Sequence, residues 1–166
     1  MKTYKNVLNK KQKNFLDNIF KNQENPFYLF NRDDNTSYFI HNAIRRQNPD
    51  LDNSTLAPAL RLLLSEIAFK INIKYTKIFR CAINVSFYNG GLNRCETHDD
   101  HFFDHRQILI YLNDADGDTV LLNKKGTKEL KKVKPEAYKI LVTDKRLHYH
   151  FFPTKGIRKV IIYTID

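Results

Sequence analysis

Histidines and an aspartate in two short segments carry the clearest chemical signal in the sequence. His98 and Asp100 lie two positions apart, so on an extended segment their side chains point to the same side of the backbone. A second cluster, formed by His148 and His150, lies in the last quarter of the chain. Two imidazoles and one carboxylate on one face bind Fe(II) through three positions and leave the others open. The spacing therefore indicates a metal centre built from His98, Asp100 and a histidine of the second cluster.

An extended segment before this centre is predicted by a period of two that begins at Lys77. The odd-numbered positions are apolar, and we expect them to pack against helices: Phe79, Cys81, Ile83, Val85 and Phe87. The even-numbered positions are more polar and should look into the interior of a sheet or barrel: Arg80, Ala82, Asn84, Ser86 and Tyr88. Arg80 and Asn84 either take part in the site or hydrogen-bond the backbone.

The first half of the chain contains two helical patterns. Apolar residues recur with helical spacing in residues 9–22 and, more clearly, in residues 54–71, where Pro58 lies in the first turn. Between these helices we expect a short edge strand at residues 27–30. The polar segment that follows it has no regular period, and we interpret it as mostly loop with a short helix near residues 41–46.

The second half of the chain contains a series of short strand patterns separated by turn signals. The predicted strands are residues 107–112, 119–122, 129–133, 138–142, 148–151 and 157–165. Two early helices followed by such a series predict a mainly β fold (α+β) in which a helical layer backs a jelly roll, or double-stranded β-helix. We expect one domain over residues 1–166, with a helical support region at 1–75 and a jelly-roll core at 76–166.

Composition limits the class of protein. The chain has 166 residues, of which 42% are hydrophobic and 13% aromatic, and this suits one folded domain rather than a disordered chain. No apolar run approaches the ~18 residues needed to cross a bilayer, and the polar start does not resemble a secretion signal. We therefore expect a cytoplasmic protein whose two cysteines are reduced thiols, although pairing between them stays open.

Charge is unevenly distributed along the chain, whose formal net charge is +10. Residues 94–118 contain seven acids against two arginines, whereas residues 124–159 contain twelve Lys and Arg against three acids. The first segment suits metal binding. The second predicts a basic surface that attracts nucleic acid, anionic lipid or acidic proteins, or is simply a solvated lysine-rich face. No zinc-finger or RNP-type sequence is present.

Several short motifs occur in order in the second half of the chain. They are Phe87-Tyr88-Asn89-Gly90, the His98 and Asp100 pair, Ile110-Tyr111-Leu112-Asn113, Asp116-Gly117-Asp118-Thr119, and His148 followed by Gly156 and Arg158. In this order they resemble the iron(II)- and 2-oxoglutarate-dependent dioxygenases of the prolyl 4-hydroxylase-like group. The first half more loosely resembles small phage-encoded members, which would act in the cytoplasm of a host cell.

The resemblance implies a role for each matching residue. His98, Asp100 and His148 would be the catalytic metal ligands for Fe(II), which acts with 2-oxoglutarate and O₂ and with ascorbate as an optional reductant. Arg158 would pair with the far carboxylate of 2-oxoglutarate, because a guanidinium matches a carboxylate through two hydrogen bonds. The other candidate contacts to this cosubstrate are Tyr111, Tyr88 and Asn84.

The choice between the two later histidines stays open at this point. His148 and His150 share a strand face, and Pro153 lies five residues after the first and three after the second, whereas the family usually places a proline four residues after its ligand. The glycine eight residues after His148 and the arginine ten residues after it favour His148. Asp99 is an alternative to Asp100, although adjacent strand residues face apart.

Other histidines and cysteines have simpler interpretations. His101 and His105 are four apart, which would suit a zinc pair on a helix, but in a loop we expect substrate contact or solvent exposure. His41 is interpreted as an ordinary loop histidine, and Cys81 as an inert thiol in the core. Cys95 lies near the metal pair and is a candidate for oxidation or substrate contact.

These inferences predict a dioxygenase that hydroxylates a C–H bond, with a protein or peptide side chain such as proline as the first candidate substrate, on analogy alone. The basic segment 124–159 supports an alternative, an oxygenase of the same superfamily acting on nucleic-acid bases as hydroxylase or demethylase. A non-catalytic metal-binding jelly roll is the third possibility.

Overall fold

Strands dominate the chain and are divided between two antiparallel sheets. The computed structural model describes residues 1–22, 24–31, 36–88 and 90–166. In these ranges the elements are β1 (Lys2–Tyr4), α1 (Lys10–Asn18), β2 (Tyr28–Asn31), β3 (Ser37–Ile44), α2 (Ala57–Lys70), β4 (Ile78–Phe87), β5 (Arg106–Tyr111), β6 (Thr119–Leu122), β7 (Glu129–Val133), β8 (Ile140–Asp144), β9 (His148–His150) and β10 (Ile157–Ile165). The larger sheet has the order β1-β8-β5-β10-β4-β3-β2 and the smaller one β7-β6-β9. The predicted mainly β fold with two helices in the first half is confirmed.

The second half follows the predicted strands closely, and β6, β7 and β10 have the predicted limits. The strand predicted from residue 138 begins two residues later, because Tyr138 has a φ of 65°, which interrupts an extended backbone. The first 75 residues contribute β1, β2 and β3 to the larger sheet in addition to both helices.

Both helices contribute to a core that covers one face of the larger sheet. α1 begins with a capping box, in which Asn9 Oδ1 accepts from the Gln12 backbone N–H at 2.9 Å and Gln12 Oε1 accepts from the Asn9 N–H at 2.8 Å. Leu16 of α1 and Leu64 of α2 are fully buried in this core with Ile161 of β10. Among the described residues, no helix is both long and apolar enough to cross a membrane.

Leucines on opposite faces of α2 offer a matched test of this packing. Leu64 is fully buried, whereas Leu62 is 63% exposed. We expect Leu64→Ala to lower the free energy of unfolding by about 2–5 kcal/mol, because it leaves a cavity in the core. Leu62→Ala should change it by about 0.5 kcal/mol or less. Urea unfolding of both variants checks this, and equal losses would contradict the described helix orientation.

The prediction of a short helix near residues 41–46 is wrong, because β3 extends into this segment and pairs with β4. His41 is accordingly not a loop histidine: it is 3% exposed, and its two ring nitrogens contact Pro26 O at 2.8 Å and Ser54 Oγ at 2.9 Å. Pairing with a long neighbouring strand overrides a weak local pattern. Residues 32–35, in the segment predicted as loop, lie outside the described residues.

The two faces of β4 divide the chemistry largely as predicted. Cys81 and Ile83 pack in the core with the helices, whereas Arg80, Asn84 and Ser86 line a cavity on the other side. Burial raises the pKa of the Cys81 thiol to about 12, which agrees with its interpretation as an inert core residue. The exceptions lie at the two ends of the alternating pattern, where Phe79 packs on Phe103 instead of on the helices and Tyr88, just after β4, is 58% exposed.

Candidate metal centre

Backbone pairing brings the first and last of the predicted ligands together. The His98 N–H donates to His148 O at 2.9 Å, and the His148 N–H donates to His98 O at 2.9 Å. Residues that exchange both hydrogen bonds lie directly opposite each other in an antiparallel pair, and their side chains leave on the same side. The two imidazole rings are 4.5 Å apart between centroids.

Asp100 completes a group of three possible ligands. One ligand atom from each of His98, Asp100 and His148 lies within 4.8 Å of the other two, and the described residues contain no second group of this kind. Asp100 Oδ2 lies 3.6 Å from His148 Nε2. His150 and Asp99, the alternatives left open by the spacing, line the same cavity but do not belong to the group.

The hydrogen bonds of the two rings suit a divalent cation. His98 Nδ1 contacts Glu96 O at 2.8 Å, and His148 Nδ1 contacts Arg146 O at 2.9 Å. A carbonyl oxygen accepts only, so each Nδ1 carries the proton and each Nε2 is the nitrogen with a lone pair. A neutral imidazole oriented by such a backbone contact is the usual state of a metal-binding histidine. The donor set therefore fits Fe(II) or a similar transition metal.

The carboxylate of Asp100 is ionised in this setting. Burial by itself raises its pKa, but the nearby positive groups outweigh burial and hold the pKa well below the usual range. Arg80 has the largest of these effects and Arg46 a smaller one, and the rings of His148 and His98 add to them only when they are protonated. An anionic carboxylate between two imidazoles is the form that a divalent cation requires.

Arg158 is buried at 3% exposure on the same cavity. Its Nε donates to Gly117 O at 2.8 Å and its Nη2 to Thr119 Oγ1 at 2.8 Å. Gly117 is required here, since a Cβ would lie 2.5 Å from Phe151 O. Burial lowers the pKa of the guanidinium, and among the ion pairs of the described residues none includes Arg158. A buried cation of this kind calls for an anion.

The other three residues predicted to contact 2-oxoglutarate lie at different distances from the cavity. Asn84 lines the cavity, and its Oδ1 is buried with no hydrogen-bond partner among the residues that the structure describes. Tyr111 is fully buried behind Arg158, with its hydroxyl donating to Thr119 Oγ1 at 2.8 Å. Tyr88 is exposed and is not among the residues that line the cavity. A role for Tyr88 in cosubstrate binding stays a prediction without support from this geometry.

The cavity has a volume of about 760 Å³ and places the His98, Asp100 and His148 group and Arg158 around one space. Sequence reasoning assigned no role to Arg46, Gln107 or Thr119, although Thr119 belongs to the motif Asp116-Gly117-Asp118-Thr119. Arg46 and Gln107 both contact Asp100, and Thr119 contacts Arg158. Polar residues at inward positions of predicted strands were the available signal for Gln107 and Thr119; no signal marked Arg46.

The other histidines of this region and Cys95 make contacts of their own outside the three-residue group. His105 is buried, not exposed, and its Nε2 lies 3.8 Å from Asp99 Oδ1. His101 packs beside His105, with ring centroids 5.2 Å apart. His150 lies between Ser86 Oγ and Cys95 Sγ, each 3.2 Å from one ring nitrogen. Both cysteines are free thiols.

No protein-family model matches the sequence, and no curated protein matches it. Solved structures do match. A 2OG-Fe(II) oxygenase-family oxidoreductase from Burkholderia pseudomallei aligns with a TM-score of 0.77 and 15% identity over 99% of this chain and 84% of that one. A prolyl hydroxylase from Trichoplax adhaerens, in complex with a peptide fragment of the hypoxia inducible factor oxygen degradation domain, has a TM-score of 0.66 and 17% identity over 99% and 82%.

A prolyl-4-hydroxylase from Pseudomonas putida aligns with a TM-score of 0.62 and 13% identity over 99% of this chain and 91% of that one. The chain therefore has the jelly-roll fold of the 2-oxoglutarate-Fe(II) oxygenases, as the resemblance in the sequence predicted. A phage origin stays a prediction.

Proposed function

We propose that this protein is an Fe(II)- and 2-oxoglutarate-dependent dioxygenase that hydroxylates a C–H bond. The observation that carries the proposal is one cavity lined both by His98, Asp100 and His148, with ligand atoms within 4.8 Å of one another, and by the buried Arg158. A metal site alone would not need a buried guanidinium, and an anion site alone would not need two lone-pair nitrogens facing a carboxylate.

Each group has a definite task in this proposal. His98, Asp100 and His148 would hold Fe(II) through three positions and leave the others for the cosubstrate and O₂. When bound, the metal with 2-oxoglutarate and O₂ supplies the oxidation, in which the substrate C–H becomes C–OH and 2-oxoglutarate becomes succinate and CO₂. The chain itself contributes ligand geometry, cosubstrate orientation and the cavity in which the reactants meet.

Arg158 would bind the far carboxylate of 2-oxoglutarate. Its Nε and Nη2 are held by Gly117 O and Thr119 Oγ1, so the guanidinium is fixed before a ligand arrives. Tyr111 supports this arrangement from behind through the shared Thr119 hydroxyl. Preorganisation of this kind reduces the entropy cost of binding a flexible diacid.

A peptide is the substrate class that the surface beside the cavity supports best. β2 is one of the two edge strands of the larger sheet, and Tyr28, Leu29 and Phe30 on it are 63%, 55% and 46% exposed. Phe30 also lines the cavity. An exposed, apolar sheet edge can pair with an extended peptide through main-chain hydrogen bonds. Proline is the first candidate residue, since two of the similar structures are prolyl hydroxylases.

The nucleic-acid alternative receives less support. Of the twelve Lys and Arg in residues 124–159, only Arg158 is among the residues that line the cavity, and it is buried. The lysines of this segment would have to bind a nucleic acid away from the site. Binding to DNA or RNA at low salt that weakens steeply as the salt concentration rises would support this alternative.

Thermal melting with Mn(II) and 2-oxoglutarate tests the proposal without knowledge of the substrate. Ligands at about 100 times their Kd add about 2.7 kcal/mol to the stability of the native state, which raises Tm by roughly 5–10 °C for a chain of this size. We expect the pair to raise Tm more than either alone, and the anaerobic Fe(II) complex to show a visible charge-transfer band. Tight zinc binding with no response to 2-oxoglutarate would instead indicate a non-catalytic metal module.

A further inference from the structure

Two guanidinium groups share one oxygen of Asp100, and they leave the other oxygen on the side of the imidazoles. Arg46 Nη2 lies 2.7 Å and Arg80 Nη1 3.2 Å from Asp100 Oδ1. Oδ2 faces His148 Nε2 at 3.6 Å and accepts from Gln107 Nε2. We infer that Arg80 is a positioning residue that makes Asp100 bind metal through Oδ2 alone. This inference rests on the metal site of the proposed function.

The sheet explains why Arg80 can perform this task. Arg80 of β4 is the register partner of Thr164 on β10, and Thr164 is the partner of Gln107 on β5. The three residues form one row across adjacent strands, so their side chains leave the same face. With strands about 4.8 Å apart, Arg80 and Gln107 reach Asp100 from two sides. The carboxylate is thus held by side chains anchored on rigid strands.

The two arginines differ in how firmly they hold Asp100. The Arg80 side chain is 7% exposed, whereas the Arg46 side chain is 40% exposed and projects from a turn. Contact with a buried group on a strand restricts a carboxylate more than contact with an exposed, flexible one. Arg80 is therefore the residue to test, with Arg46 as a weaker second contact.

Whether Asp100 binds the metal through one oxygen or two decides how many coordination positions stay available to other ligands. Three protein ligands and a two-point cosubstrate leave one position open on a six-coordinate metal. If Asp100 were released from Arg80, its Oδ1 would be able to occupy that position as a second carboxylate contact. Arg80 also adds positive charge beside the metal, which by itself disfavours a dication. Without Arg80 the carboxylate is also free to turn away from the imidazoles, which lowers metal affinity, whereas a second carboxylate contact and the loss of the positive charge both raise it. Metal affinity and the number of ligand positions are therefore measured separately.

The test is Mn(II) binding by calorimetry to the full chain carrying Arg80→Met. If positioning dominates, we expect affinity to fall about 10- to 100-fold, the usual effect of removing a contact to a metal ligand. Arg80→Lys, which keeps a donor, should recover part of this loss. Arg45→Ala is the matched control: Arg45 is exposed and lines the same cavity, and among the described residues no hydrogen bond or ion pair to Asp100 is found for it. It should bind as the wild type does.

A second readout reports the number of ligand positions directly. With 2-oxoglutarate added, wild-type Mn(II) should keep one exchangeable water, which enhances water-proton relaxation. Arg80→Met should lose much of this enhancement, because a second contact from Asp100 displaces the water. Thermal melting of the metal-free variants checks that they fold. If Arg80→Met does not fold, Arg80→Lys is compared with the wild type instead.

The possible results separate this inference from the proposed function. Unchanged or tighter Mn(II) binding together with unchanged relaxation in both Arg80 variants would overturn the positioning role and leave the metal site intact. Absence of Mn(II) binding in the wild type would overturn both.

Discussion

Replacement of His148 by alanine is expected to abolish 2-oxoglutarate turnover. The variant loses one of the three ligand atoms that lie within 4.8 Å of one another, and the metal with it. Because the metal with 2-oxoglutarate and O₂ supplies the oxidation in the proposed function, turnover should fall by at least about a thousandfold, which corresponds to about 4 kcal/mol in the barrier. Succinate formation with and without added Fe(II) measures the effect.

His150→Ala is the matched control, because the two histidines share a strand face and the sequence left the choice between them open. His150 contacts Ser86 and Cys95 and does not belong to the three-residue group. We therefore expect His150→Ala to bind Mn(II) with nearly wild-type affinity, whereas His148→Ala should not bind it measurably. The reverse result would show that the distal ligand is misassigned.

The second large effect is expected from Arg158→Ala. This change removes the buried guanidinium on which cosubstrate binding depends in the proposed function, and truncation of a buried charged partner costs about 2–5 kcal/mol. The KM for 2-oxoglutarate should rise by roughly 30-fold to several thousandfold. Metal affinity should change far less, because among the described residues no hydrogen bond joins Arg158 to a proposed ligand. Initial rates over a range of 2-oxoglutarate concentrations, with Mn(II) calorimetry, separate the two parameters.

Two control variants test whether the rise in KM depends on the guanidinium of Arg158 itself. Arg158→Lys keeps the charge but loses the planar fork, and it should give an intermediate KM. Lys159→Ala removes one positive charge from the next position of β10, where the ammonium lies 4.1 Å from the centre of the Phe20 ring, and it should leave the KM unchanged. A wild-type KM in Arg158→Ala would contradict the role of Arg158 and direct attention to other cavity residues.

Local patterns were sufficient for much of the architecture. A side-chain period of two is a property of the strand itself, and it predicted the polar cavity face of β4 and most strands of the second half. The helical period and Pro58 likewise predicted α2. The same reasoning was wrong near His41, because β3 is held by its pairing with β4 and not by its own sequence pattern.

The proposed metal site divides in the same way between sequence and tertiary structure. The spacing of His98 and Asp100, the later histidines and Arg158 was enough to predict the ligand types and an anion-binding arginine. Spacing could not select His148 over His150, because residues two apart share a face. The selection came from the His98 and His148 backbone pair, a contact between distant segments.

The periodic elements and the residue types available for a metal site follow from the order of amino acids alone, since both are encoded within a few neighbouring positions. Which side chains meet depends on the folded chain. The row of Arg80, Thr164 and Gln107 depends on the register of three strands that are distant in sequence. The contact of Arg46 with Asp100 depends on where a turn packs. Such contacts result from packing of the whole chain, and no local pattern specifies them.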